Sequence, residues 1–183
     1  ATVNEKLVSI LSSSEVTDPK PISKGMSPEC RSKIKRALEL FAEALEPLKQ
    51  KYNTMSEGDK AKVQPELGDV FHRIGRLYGK EGSYMSAVDA YHNSLERYNA
   101  SSVRKTTKQK GFHSDAVIVW HDLACLHLTM SKNHDAVYAA GKSTELAKMV
   151  TKLSSSTSLV AAQVNSYQVA GDAYAAMKRH DDA

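Results

Sequence analysis

The chain has 183 residues, 41% of them hydrophobic and 25% charged, with nine glycines and five prolines. That is enough for one sizeable core or one elongated array, and it excludes collagen-like and low-complexity chains. The net charge of +4 is local: Arg104, Lys105, Lys108 and Lys110 fall in an acid-free stretch, and the remaining 21 basic residues match the 21 acids, which argues against a whole-domain nucleic-acid footprint.

In chain order, residues 1–26 read as a mobile lead with one short helix, "VNEKLVSIL", because "TDPKPISKGMSPEC" cannot be regular helix. Ser27-Pro28-Glu29 then reads as an N-cap, a proline at the first helical position and an acid in the first turn. The domain is expected over 27–183. Its first helix carries Ala37, Phe41 and Ala44-Leu45, while Pro47 and Pro65 argue against straight helices through 46–67. Next come Phe71, Ile74-Gly75 and Tyr78, then Gly82 suited to a tight turn, then Ala87 and Tyr91. The order repeats as Trp120, Leu123-Ala124, His127, Ala136 and Ala140, and again as Tyr167, Ala170-Gly171, Tyr174 and Ala183. In each copy the aromatic precedes the small residue of the second segment by 16 positions.

This spacing predicts helix-turn-helix units in which Gly75, Ala124 and Gly171 are small because a second helix crosses there. Ala87, Ala136 and Ala183 would be small for the same reason on the partner side. A mid-helix glycine costs about 0.5–1 kcal/mol relative to alanine, so small residues in register imply close contact. With Ala37, the alanines recur at 37, 87, 136 and 183, a period of 47–50 residues. The extra length falls in 46–67, 99–116 and 151–163, as helix extension or as loop, with partial loop favoured for 99–116 because of Gly111. Both ends are cut in this reading: nothing suited to a first helix precedes Ala37, and the chain stops where a third second helix should begin.

Phe71, Ile74, Gly75, Tyr78, Ala87 and Tyr91 make this stretch similar to the tetratricopeptide repeat, whose pattern is W-x2-L-G-x2-Y…A-x3-F. The later copies depart at His127, Ala140 and Ala170, and the usual period is about 34 residues. The resemblance covers roughly residues 34–183. It implies an all-α, right-handed superhelical stack of antiparallel helix pairs, acting as a non-enzymatic protein-interaction scaffold. The concave groove of that family is lined by first helices, which here implies contacts from His72, Arg73, Arg76, Lys80, His121, Cys125, Gln168 and Asp172. A cationic first unit suits an acidic or phosphorylated peptide. The clamp for chaperone tails in some members needs Lys and Asn residues, and His72, Arg76, Asp122, Asn165 and Val169 stand in those places instead.

No catalytic motif, metal-ligand set or cofactor loop emerges. "AVYAAGKST" at 136–144 mimics a phosphate loop but lies inside a predicted helix, and the mechanism needs a strand before the loop. His121 and Cys125 share a helix face with only His72 as an evident third ligand, whereas zinc usually takes four. Two widely spaced cysteines and no signal-peptide layout point to a reducing compartment, the cytoplasm being simplest. Further readings are an adaptor for nucleic acid or acidic membrane through 104–110, a regulatory domain of a larger enzyme, and a homodimer joined through the unpaired ends.

Overall fold

The computed structural model describes residues 26–101, 114–151 and 157–181. The N-terminal lead through residue 25, the basic residues Arg104, Lys105, Lys108 and Lys110, and Ala183 lie outside them. Every element among the described residues is an α-helix. We number them α1 (Pro28–Thr54), α2 (Glu57–Glu81), α3 (Tyr84–Ser101), α4 (Asp115–Thr129), α5 (Asn133–Thr151) and α6 (Thr157–Asp181). None is long and apolar enough to cross a membrane.

α1 starts as its sequence dictates. Ser27 is extended, its hydroxyl accepts from the Cys30 N–H at 3.2 Å, Pro28 loses no needed donor, and Glu29 meets the positive helix end. The expectation for 46–67 is corrected: α1 runs through Pro47, α2 runs through Pro65, and only Met55-Ser56 interrupts them. A proline inside a helix removes one N–H donor. The break between them is firmly made. Ser56 caps α2 by accepting from the Asp59 N–H, and Gln64 donates across the bend to the Tyr52 hydroxyl. Lys60 and Arg97 sit 5.6 and 5.7 Å from the Tyr52 ring centroid, a cation–π arrangement that joins α1, α2 and α3.

The chain then folds into two hairpins, α2–α3 and α4–α5, with α6 packed on both α5 and α4, α3 on α4, and α1 on α2. The predicted turn at Gly82 is present, with φ at +94° and the Tyr78 carbonyl accepting from both Gly82 and Ser83 N–H groups at 3.0 Å. This is the helix stop in which a left-handed residue lets the next amides turn back onto the last turn. The second hairpin stops the same way 49 residues later. Lys132 N–H reaches the His127 carbonyl at 2.9 Å, and the left-handed residue is Ser131, φ +58°.

Inside each hairpin the crossing is close. A Cβ on Gly75 would lie 2.6 Å from the Tyr91 ring, and one on Gly68 would lie 2.7 Å from the Tyr98 ring. Gly75 is therefore small for an aromatic ring of the second helix. Ala87, fully buried, sits nearer Gly79, 4.0 Å from where that glycine's Cβ would be. The third copy differs from expectation. Among the described residues nothing lies within 4 Å of a Cβ on Gly171, and α6 stays helical through Asp181, past Lys178 where a counterpart of Gly82 would turn the chain.

Candidate partner-binding surface

Buried hydroxyls fix the register of the two hairpins. Ser94 of α3 donates to the Gly68 carbonyl at 2.7 Å, and Ser143 of α5 donates to the Val117 carbonyl at 2.9 Å. Both bonds span 26 positions, and all four atoms shift by 49 residues from one unit to the next. Ser94 and Ser143 have no accessible surface, so each hydroxyl would cost free energy if left without a partner. These serines carry no local signal of their own, but aligning the two units at Ala87 and Ala136 places them opposite one another.

Between neighbouring first helices the expected groove residues divide into two groups. His72 and Arg76 of α2 reach across to Asp122 of α4, at 2.8 and 3.6 Å, and only 6% of the Asp122 side chain is exposed. A carboxylate so enclosed needs such partners, because an unpaired buried charge is costly. His72 also tilts against Tyr91, ring centroids 5.8 Å apart. Burial, and next the Asp122 charge, pushes the Tyr91 hydroxyl well above the ordinary phenol range, so it stays protonated. Asp122 as the anchor of this cluster was not evident from sequence. Its position one residue past the counterpart of His72 is the signal that could have found it.

His121 belongs to a second polar chain, which ties α4, α5 and α6 together. Its Nδ1 lies 3.1 Å from the Ser166 hydroxyl, which is 2.9 Å from Ser143 Oγ and 2.7 Å from the Ala162 carbonyl. Its Nε2 lies 3.6 Å from Cys125 Sγ. With 7% of its surface exposed, His121 holds helices together and presents little to a ligand. Cys125 is half-buried beside it. The metal-ligand reading of His121, Cys125 and His72 thus finds His72 engaged with Asp122 instead.

The open residues of the expected set are Arg73 on α2 and Gln168 and Asp172 on α6, all exposed, with Lys80 partly so. "AVYAAGKST" lies wholly within α5, where Ser143 serves the Val117 carbonyl. Comparison with protein-family models, with curated proteins and with solved structures finds no match to this chain.

Proposed function

We propose that the chain is a non-enzymatic protein-interaction scaffold: a right-handed superhelical stack of hairpins of the tetratricopeptide kind, working in the cytoplasm. The observation that carries this reading is the repetition of one hydrogen-bonded unit, Ser94 to Gly68 and Ser143 to Val117, at a fixed 49-residue offset. Stacked units of this sort hold a surface in place before a partner arrives, so little ordering entropy is lost by the scaffold on binding. The binding surface in this reading is that of the first helices, and its accessible residues are Arg73, Lys80, Gln168 and Asp172. An acidic or phosphorylated peptide would draw on Arg73 and Lys80, since Arg76 already faces Asp122.

The test is site-specific photocrosslinking in cell extract, with the reactive group placed at Arg73, Gln168 or Asp172. Controls carry it at Glu96 and Asp135, exposed positions on the second helices α3 and α5. Discrete protein adducts should form from the first-helix positions and be absent from the controls. Equal adduct patterns from both sets would remove the first-helix surface as the binding site.

A further inference from the structure

α4 places a thiol beside an imidazole. His121 and Cys125 are four residues apart on that helix and so share one face, with His121 Nε2 3.6 Å from Cys125 Sγ. The imidazole is buried, whereas the cysteine is partly exposed. The pair is a buried base beneath an accessible nucleophile.

Counting hydrogens assigns the tautomer. Ser143 gives its one hydroxyl hydrogen to the Val117 carbonyl. Ser166 directs its own to the Ala162 carbonyl at 2.7 Å or to Ser143 Oγ at 2.9 Å. In both cases Ser166 Oγ is left to accept, at 3.1 Å, from His121 Nδ1, which therefore carries the ring proton. The basic lone pair then lies on Nε2, toward the Cys125 thiol. A nucleophile, a base and a group that orients the base are the parts that activate a thiol. The charges nearby are compensated or neutral. Asp122, three residues before Cys125, is engaged by His72 and Arg76 of α2. The Tyr91 hydroxyl of α3 stays protonated and feels Asp122, Arg76 and Cys125 together, so the Arg76 guanidinium belongs to the surroundings of the thiol. From α6 the dyad meets the neutral Ser166.

We propose that Cys125 is a reactive thiol that forms mixed disulfides with low-molecular-weight disulfides, His121 acting as its base and Ser166 positioning that base. The thiol proton passes to His121 Nε2, and the Cys125 sulfur attacks one sulfur of the reagent. A new S–S bond forms as the old one breaks. The departing thiolate carries off the bonding electron pair and takes the proton from His121. Cys125 is oxidised and one half of the reagent is reduced to a thiol, so the exchange needs no further oxidant. This reactivity is independent of the first-helix surface as a binding site.

The test is the rate of reaction with oxidised glutathione, followed by mass spectrometry on the full chain carrying Cys30→Ser, which removes the exposed second thiol. An ordinary thiol, with a pKa of about 8.5, slows about twentyfold between pH 8 and pH 6.5 as its thiolate fraction falls. The same protein unfolded in urea supplies that reference. In the folded chain Cys125 should slow by less than about threefold over the same interval. His121→Gln should restore the steep dependence, and Ser166→Ala should give an intermediate one, with circular dichroism verifying that the helices persist. A folded chain that slows as steeply as the unfolded one, or whose thiol does not react, overturns the proposal. An unchanged shallow dependence in folded His121→Gln overturns it as well, because the base would then lie elsewhere. Should that variant unfold, the comparison of folded with unfolded chain decides alone.

Discussion

The hairpins α2–α3 and α4–α5 share their backbone hydrogen bonds but distribute side-chain volume in opposite ways. In α2–α3 the first helix has Gly68 and Gly75, and the second has Tyr98 and Tyr91 filling the space above them. At the counterpart positions, 49 residues on, the first helix has Val117 and Ala124 and the second has Ala147 and Ala140, all four fully buried. At Val117 the bulk moves to the first helix, while Ala124 and Ala140 are small on both sides. What the two units share is the serine–carbonyl bond, and the side chains around it fill the crossing differently. A repeat pattern written in residue types therefore blurs while the packing it encodes persists.

That comparison can be broken most forcefully at Gly68. Tyr98→Ala should cost about 3–5 kcal/mol by emptying a buried site, and Gly68→Val alone about 3 kcal/mol by forcing the ring aside. Combined, they recreate the Val117–Ala147 arrangement, and the double variant should be more stable than Tyr98→Ala alone in urea unfolding. Additive losses would show that the two crossings are not equivalent.

Ser143→Ala should cost about 1–2 kcal/mol, because Ser143 serves both the Val117 carbonyl and Ser166. Ser94→Ala removes the bond to the Gly68 carbonyl and one shared with the Tyr98 hydroxyl, and should cost a similar amount. Both urea midpoints should fall, and an unchanged midpoint for Ser143→Ala would detach the α4–α5–α6 polar chain from stability.

The turns offer a smaller contrast. Gly82 holds its left-handed conformation without side-chain strain, and Ser131 does not. Ser131→Gly should raise stability by about 0.5–1 kcal/mol and Gly82→Ala should lower it by about 1 kcal/mol, read from thermal midpoints.

A difference in pH response follows from the positions of Tyr78 and His127, which correspond. Burial holds the His127 imidazole below its ordinary value of 6.5, with Asp135 pulling the other way, and its Nδ1 has no hydrogen-bond partner among the described residues. The unfolded chain therefore takes up a proton near pH 6.5 that the folded chain refuses until lower pH. Stability is complete above that pH and declines as pH falls toward the folded value. His127→Tyr should flatten the acid flank of a stability–pH curve below about pH 6.5. An unchanged slope would place the titration elsewhere.

Much of this architecture was legible in the residues, for physical reasons that also mark where legibility ends. The Ser27 cap and the Gly82 turn are local demands of backbone geometry, and local demands leave local signals; Gly75 answers to the Tyr91 ring of another helix and was legible only because a glycine inside a helix is itself conspicuous. Ser94, Ser143 and Asp122 answer to atoms on other helices, so nothing beside them in the chain announces their roles. Pro47 and Pro65 argue against straight helices through 46–67 because the rule concerns an isolated helix. In the folded chain the neighbouring turns and the Tyr52–Gln64 bond hold helix on both sides of the bend. Gly171 was read by analogy with Gly75, and the analogy holds for its position but not for its neighbour.

Gly75 and Gly171 also give the most direct test that the corresponding glycines of two copies differ in what they meet among the described residues. The same substitution, to alanine, is made at each site in the full chain, and urea unfolding is followed by circular dichroism. Gly75→Ala should destabilise by about 1–3 kcal/mol, because its Cβ would strike the Tyr91 ring. Gly171→Ala should stabilise by about 0.5–1 kcal/mol, the helix preference for alanine acting in open space. Midpoints that move in opposite directions are the predicted result, and midpoints that move together would contradict the account.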